Sequence, residues 1–179
     1  MPQMNRLLRW FAIALFIPIF ILPSSSLANK KGTVQFFCGR VNQDGKIIPT
    51  TQAISTGNSD PVSLILWKDT PPKGMTNQQR CEIVSKRFQS AWNGGSFDKL
   101  IAGIDKPSGL GLICAVRHTE RTCDRSNLLF TLNTGSDAED MLNRIRGAIS
   151  DPNKGFPTPQ SSGENEIDMQ LLIDILNKK

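Results

Sequence analysis

The sequence predicts an α+β fold, with one antiparallel sheet of about five strands packed by two helices and stabilised by disulfides. Segments with the two-residue period of strands and segments with the longer period of helices follow one another in the order β-β-β-α-β-β-α. Turn and capping residues separate these segments. All four cysteines lie in the same part of the chain and can give it a covalent framework.

Residues 1–28 have the pattern of a secretory signal peptide. Arg6 and Arg9 precede the apolar run 10–22, and the small residues at 26–28 offer a cleavage site. The run has about 13 residues, whereas a helix that spans a bilayer needs about 20. We therefore expect cleavage after residue 28 and export to the periplasm or the extracellular space. Retention of the leader as a membrane anchor is the alternative.

Length and charge limit the function of the remaining chain. Removal of 28 residues from 179 leaves 151, a normal size for one domain. Without the two leader arginines, 19 basic residues stand against 16 acidic ones. So small a surplus does not indicate nucleic acid, and export argues against it. The expected partner is an unknown protein or a membrane surface.

Three strands are predicted before the first helix. Residues 34–40 and 46–54 predict a hairpin around the turn at 42–45, which ends in the strong turn pair Asp44-Gly45. The short apolar run 62–67 predicts a third strand. Prolines and a glycine within 70–74 then interrupt the pattern.

The first helix is the clearest element of the sequence. Thr76 is a good N-cap, and Gln79 three residues later completes a capping box. An apolar stripe that includes Cys81 and Phe88 continues to residue 92, and the glycines at 94–95 end the helix.

The next segments are expected to be one or two helical turns over 98–104 and two strands over 110–117 and 121–132. The second strand has an irregularity at 124–127. Ser136 and Glu139 predict another capping box, which opens a helix through residue 149.

The chain is expected to divide after this helix. Residues 29–149 form the disulfide-stabilised domain. Residues 150–163 contain three prolines and two glycines, which indicates a linker. Residues 164–179 predict a C-terminal amphipathic helix, attached to the domain rather than part of its core. Such a helix could dock on its own domain, on a second copy or on another protein.

Four cysteines allow three pairings, and the local patterns favour one of them. Alternation places Cys38 on the inner face of the first strand, and the helical stripe places Cys81 inward. A hairpin in the later strands would place Cys114 opposite Cys123. Loop closure gives stabilisations of about 4 and about 2.7 kcal/mol for these two bridges. We predict Cys38–Cys81 and Cys114–Cys123.

A metal site is the rival explanation of the four cysteines. Zinc sites and redox dithiols both favour the close pair C-x-x-C. The cysteines here are 43, 33 and 9 residues apart. We therefore expect no metal and no other cofactor.

His118 is the single histidine and the one candidate for catalysis. A general base needs a nucleophile and an orienting acid beside it, which the sequence does not place there. We expect a dispensable, solvated turn residue and no catalytic residue elsewhere. The alternative is a hydrolase-like periplasmic enzyme with a site assembled in space near His118.

Several arginines could form a basic surface patch that meets anionic lipid headgroups or an acidic protein. Ordinary solvated faces would explain the same residues. The arginines of this possible patch are Arg80, Arg87, Arg117, Arg121 and Arg125.

Several motifs resemble the cyanobacterial circadian oscillating protein family, the 23-kilodalton type. The likeness covers roughly residues 34–149, and the Arg-Cys pair of the first helix is its most specific part. The residues that carry it are Phe36-Phe37-Cys38, Arg80-Cys81, Val84-Ser85, Arg87-Phe88, Ile113-Cys114, Cys123 and Leu128-Leu129-Phe130-Thr131-Leu132. The resemblance implies an exported cyanobacterial protein, for which membrane association is one expectation. It carries over the cysteine framework and no catalytic residue. The expected function is a non-enzymatic binding or interaction domain.

Overall fold

The structure, a computed structural model, describes residues 34–152 and 166–178. The predicted leader and most of the predicted linker lie outside these residues. The elements are β1 Val34–Gln43, β2 Lys46–Ser55, β3 Val62–Leu66, α1 Asn77–Asn93, β4 Lys99–Ile104, β5 Gly111–Val116, β6 Leu128–Leu132, α2 Gly135–Ser150, β7 Glu166–Asp168 and α3 Gln170–Lys178.

Antiparallel strands and helices form the fold, so the predicted α+β class is confirmed. The strands make two sheets instead of one, in the orders β1-β2-β3 and β6-β5-β4-β7. Helix α1 lies along the outer edge of β6. Arg80 Nη2 donates to the Thr131 carbonyl oxygen at 2.9 Å, and Arg87 Nη1 donates to the Leu129 carbonyl oxygen at 2.8 Å. Helix side chains thus bind carbonyl groups that another strand would use.

The predicted first hairpin is confirmed, and both of its strands are longer than expected. Asp44 and Gly45 have φ angles of 53° and 77°. A two-residue turn with both angles positive matches the twist of antiparallel strands. The register runs from Gln43 opposite Lys46 to the far ends of both strands.

A bulge in β3 brings its end towards the core. Ser63 pairs with Gln52, but Ile65 pairs with Thr51, so one extra residue lies between them. Trp67 Nε1 consequently reaches Thr51 Oγ1 at 3.0 Å. Ser85 of α1 donates to the same oxygen at 3.0 Å, which ties the helix to the sheet through a buried polar group.

Helix α1 begins and ends as the sequence predicts. Thr76 is the N-cap, and its capping box with Gln79 is complete. Gly94 is the C-cap. Phe88 is fully buried, and its ring centroid lies 5.5 Å from that of Phe36 and 5.4 Å from that of Phe97. These rings join α1 to β1 and to the chain that enters β4.

Helix α2 begins earlier than predicted. Its N-cap is Thr134, and the capping box partner is Asp137 rather than the predicted Ser136 and Glu139. Gly111 explains the position, because a Cβ atom there would lie 2.0 Å from the Thr134 carbonyl oxygen. The close approach of this carbonyl to β5 sets where the helix can start.

Two expectations for the middle of the chain are wrong. Residues 99–104 form strand β4, not helical turns. Leu100 and Ile101 are both buried, on opposite faces of the sheet, and so short an apolar run does not distinguish a strand from a helix. The predicted strand over 121–132 is extended only from Leu128, and residues 117–127 form a loop.

Residues 166–178 belong to the core. β7 pairs with β4, and Arg146 Nη2 donates to the Glu166 carbonyl oxygen at 2.8 Å. Leu172 and Leu176 are fully buried. The C-terminal helix exists but is shorter than predicted, and the prediction that it is an attachment outside the core is wrong. Ile167 and Met169 are buried with the two-residue period of a strand, and Leu172 and Leu176 are buried with the four-residue spacing of a helix. This change of period marks a strand followed by a helix.

Replacing Leu172 with alanine should lower the free energy of unfolding by about 2–5 kcal/mol, because it leaves a cavity in the core. The adjacent Leu171 is 38% exposed and provides a matched control. Leu171→Ala should change the same quantity by less than about 0.5 kcal/mol. Urea unfolding of both variants measures the difference, and equal effects would contradict the described packing of α3.

Candidate interaction site

Both predicted disulfides are confirmed. Cys38–Cys81 joins β1 to α1 with Cα atoms 5.5 Å apart, and Cys114–Cys123 joins β5 to residues 117–127 with Cα atoms 5.4 Å apart. Two intramolecular disulfides are consistent with an oxidising, exported location. The second bridge shapes the most distinctive surface feature of the described residues, the loop formed by residues 117–127.

This 117–127 loop lies across one face of the second sheet. The predicted hairpin would have paired Cys114 with Cys123 across two strands, but the strand partner of Cys114 is Leu128. Cys123 instead covers Gly103 of β4, where an added Cβ atom would lie 2.8 Å from the Cys123 Cβ. The pairing of the cysteines was therefore predicted correctly, whereas the path of the chain between them was not.

Side-chain hydrogen bonds fix the second half of the loop. Asp124 Oδ1 accepts from the Ser126 backbone N–H at 2.7 Å and from the Ser126 hydroxyl at 2.6 Å. These hydrogen bonds, that from the hydroxyl above all, lower the pKa of Asp124. Asn127 Oδ1 accepts from the Asp124 N–H, and Asn127 Nδ2 donates to the Thr122 carbonyl oxygen. The sequence shows this segment only as an irregularity, although Asp and Asn are typical of such turns.

Contacts from other elements hold the first half. The backbone N–H of His118 donates to Asp98 Oδ2 at 3.3 Å. Arg121 Nη1 lies 2.7 Å from Glu166 Oε2, and Lys99 Nζ lies 2.9 Å from Glu166 Oε1. The hydrogen bond from Lys99 is the main reason that the pKa of Glu166 is lowered. Sequence reasoning missed Lys99 and Glu166, because 67 residues separate them.

The five arginines of the predicted patch lie in different surroundings. Arg80 and Arg87 bind carbonyl groups of β6, as described above. Arg80 also lies over the Trp67 ring, 4.6 Å from its centroid, and burial of its guanidinium lowers its pKa while Asp69 opposes the change. Arg121 is paired with Glu166. Arg80 and Arg87 are seven residues apart and therefore lie on one face of α1. This spacing is a sequence signal for their shared role in binding β6.

Arg87 and Arg117 are brought together. Both line a cleft of about 610 Å³ between α1 and the 117–127 loop, which we call the α1–loop cleft. Ser90 and Thr122 also line it. Arg125 is exposed on the loop but outside this cleft, and Arg80 lines a separate cleft of about 680 Å³ at the other end of β6.

His118 is exposed, and neither of these two clefts is lined by it. Among residues 34–152 and 166–178, no group of three or more histidine, cysteine, aspartate or glutamate side chains could hold a metal ion. Within the same ranges, no helix is both long enough and apolar enough to cross a membrane.

The chain belongs to the family of the circadian oscillating protein COP23, whose family model matches residues 35–174. The match confirms the family indicated by the residues around Cys81, and it extends through β7 into α3. A search of the curated proteins and a search of the solved structures each found no significant match.

Removal of the second disulfide by the double substitution Cys114→Ala and Cys123→Ser should release the loop. We expect a loss of stability of about 2–3 kcal/mol, because the bridge closes a short loop in the unfolded chain. Amide hydrogen exchange within 117–127 should approach that of an unfolded chain, whereas β1 and β2 should stay protected and speed up only as far as the lower global stability requires. Unchanged exchange in the loop would show that its other contacts suffice to hold it.

The lowered pKa of Glu166 predicts a loss of stability in acid. A carboxylate whose pKa is lower in the folded than in the unfolded state stabilises the fold at pH values above the ordinary glutamate pKa, near 4.3. This stabilisation is lost as the pH falls through the folded-state pKa. Melting temperature should therefore fall more steeply with acid in the wild type than in Glu166→Gln. Glu139→Gln, on the exposed face of α2, is the control and should keep the wild-type slope.

Proposed function

We propose that this chain is an exported, non-enzymatic interaction domain that binds a protein partner through the 117–127 loop and the adjoining cleft. Its location would be periplasmic or extracellular. The two disulfides support an oxidising compartment.

The loop itself is the observation that carries the proposal. β5 ends at Val116 and β6 begins at Leu128, so eleven residues join two neighbouring antiparallel strands. Two to five residues commonly make such a connection. Long loops fixed on a rigid scaffold are typical binding elements. A disulfide, two turn side chains and an ion pair already order this one, which lowers the entropy cost of binding.

The charges of the loop favour a protein over a membrane surface. Arg117, Arg121 and Arg125 alternate with Glu120 and Asp124, so both signs are presented together. Anionic membranes are recognised by clusters of basic residues or by an inserted apolar face. Interspersed charges with hydrogen-bonding groups instead suit the polar rim of a protein–protein interface.

A photo-crosslinking amino acid placed in the full chain tests this proposal inside the cells that produce it. Positions 119 and 125 lie on the loop, where Thr119 and Arg125 are exposed. Ile47, 62% exposed on the β1–β2 hairpin, is the control position. We expect a discrete protein adduct from at least one loop position and none from the control.

The absence of a protein adduct at both loop positions would contradict the proposal. The same protein adduct at all three positions would also contradict it. Adducts with lipid alone would show that the loop faces a membrane surface. Both substitutions keep the disulfides and the Asp124–Ser126 contacts, so the loop should remain ordered.

A further inference from the structure

Two positively charged side chains line the α1–loop cleft, and neither is paired directly with a carboxylate of residues 34–152 or 166–178. Within the described parts of the chain, neither Arg87 nor Arg117 has a carboxylate oxygen within 4.0 Å. Arg87 donates one of its five N–H groups to the neutral carbonyl of Leu129. Arg87 and Arg117 come from two different elements, α1 and the 117–127 loop, and line the same space.

The carboxylates that line the cleft accept hydrogen bonds from the loop itself. Glu120 Oε2 accepts from the Arg117 backbone N–H at 3.1 Å, and Asp124 Oδ1 accepts twice from Ser126. These contacts occupy one oxygen of each carboxylate. Their charges still weaken the positive potential of the cleft, which gives a test of the sign of the ligand's charge.

Residues that carry hydroxyl groups also line the cleft. Ser90 of α1 and Thr122 of the loop line the cleft together with the two arginines. A phosphoryl group can accept hydrogen bonds from several directions at once, whereas a carboxylate is planar. Arginine binds phosphoryl oxygens with strong, charge-assisted hydrogen bonds. The volume of about 610 Å³ is in the range of sites for small molecules.

We propose that the α1–loop cleft binds a phosphoryl oxyanion between Arg87 and Arg117. The group could be carried by a free phosphate or phosphomonoester, or by a lipid headgroup. This inference rests on the proposed function only because the 117–127 loop forms one side of the cleft. It adds a site for a small ligand to the proposed protein-binding surface.

Titration of the isotope-labelled full chain with inorganic phosphate and with glycerol 3-phosphate tests the site by NMR, with chloride at equal ionic strength as reference. Saturable shifts should concentrate on the amides of residues 87–96 and 117–127. Vesicles of phosphatidylglycerol, compared with phosphatidylcholine, distinguish a lipid headgroup from a free ligand. Binding to the vesicles without binding to either free ligand would assign the site to the lipid.

Arg117→Met should weaken phosphate binding by about tenfold or more, the scale of one charge-assisted hydrogen bond. Arg125→Met is the matched control, because it removes the same charge from the same loop outside the cleft. It should change the affinity by less than about twofold, since the charge is solvent-exposed and screened. Glu120→Gln keeps an oxygen for the Arg117 N–H, removes a negative charge and should tighten binding.

Equal losses from Arg117→Met and Arg125→Met would overturn the inference, because they would show attraction to overall charge alone. Absence of saturable shifts with both free ligands and both vesicles would also overturn it. Protein adducts in the crosslinking experiment without phosphoryl binding would leave the interaction domain standing and reject only this site. Phosphoryl binding without protein adducts would leave the phosphoryl site standing and reject the protein-interaction domain.

Discussion

Helix α1 is the element on which the rest of the structure depends, because it is bound to both sheets at once. The Cys38–Cys81 bridge and the Ser85–Thr51 hydrogen bond hold it to the first sheet. Arg80 and Arg87 hold it to the edge of the second sheet. The covalent and buried polar contacts restrict how α1 can move on the first sheet, and the arginines then set the position of the second sheet against it.

The geometry of this contact explains why arginine suits both positions. Residues seven apart on a helix lie on the same face, about 10 Å apart along the axis. Carbonyls two residues apart on a strand point the same way, about 7 Å apart. Long side chains with forked donors bridge this difference in spacing, which shorter or single-donor side chains would do poorly. At Arg80, the Trp67 ring and the Thr131 carbonyl replace part of the hydration that burial removes.

The features that were predictable from the sequence depend on nearby residues. The Thr76 cap is set within three positions, and the inward direction of Cys81 follows from its own helix. The failures involve partners far along the chain. Strand β4 lies between β5 and β7, and its apolar run takes its conformation from these neighbours. The path of Cys123 depends on Gly103, whose missing side chain leaves the space that the cysteine fills. Of the five arginines of the predicted patch, only Arg87 and Arg117 line the α1–loop cleft. Arg80 and Arg121 bind other residues, and Arg125 is exposed outside the cleft.

The C-terminal strand connects the core to the candidate site. Glu166 pairs with Lys99 on the neighbouring strand and with Arg121 on the loop, so the carboxylate that helps to seat β7 also anchors the loop. Met169 follows β7 and donates its N–H to the carbonyl of Asp98, whose side chain accepts from the backbone of His118. The loop is thus held at Cys123 by the disulfide and at Arg121 by the ion pair with Glu166 of β7. The C-terminal segment therefore contributes to the order of the loop, alongside the disulfide and the turn hydrogen bonds that do not involve this segment.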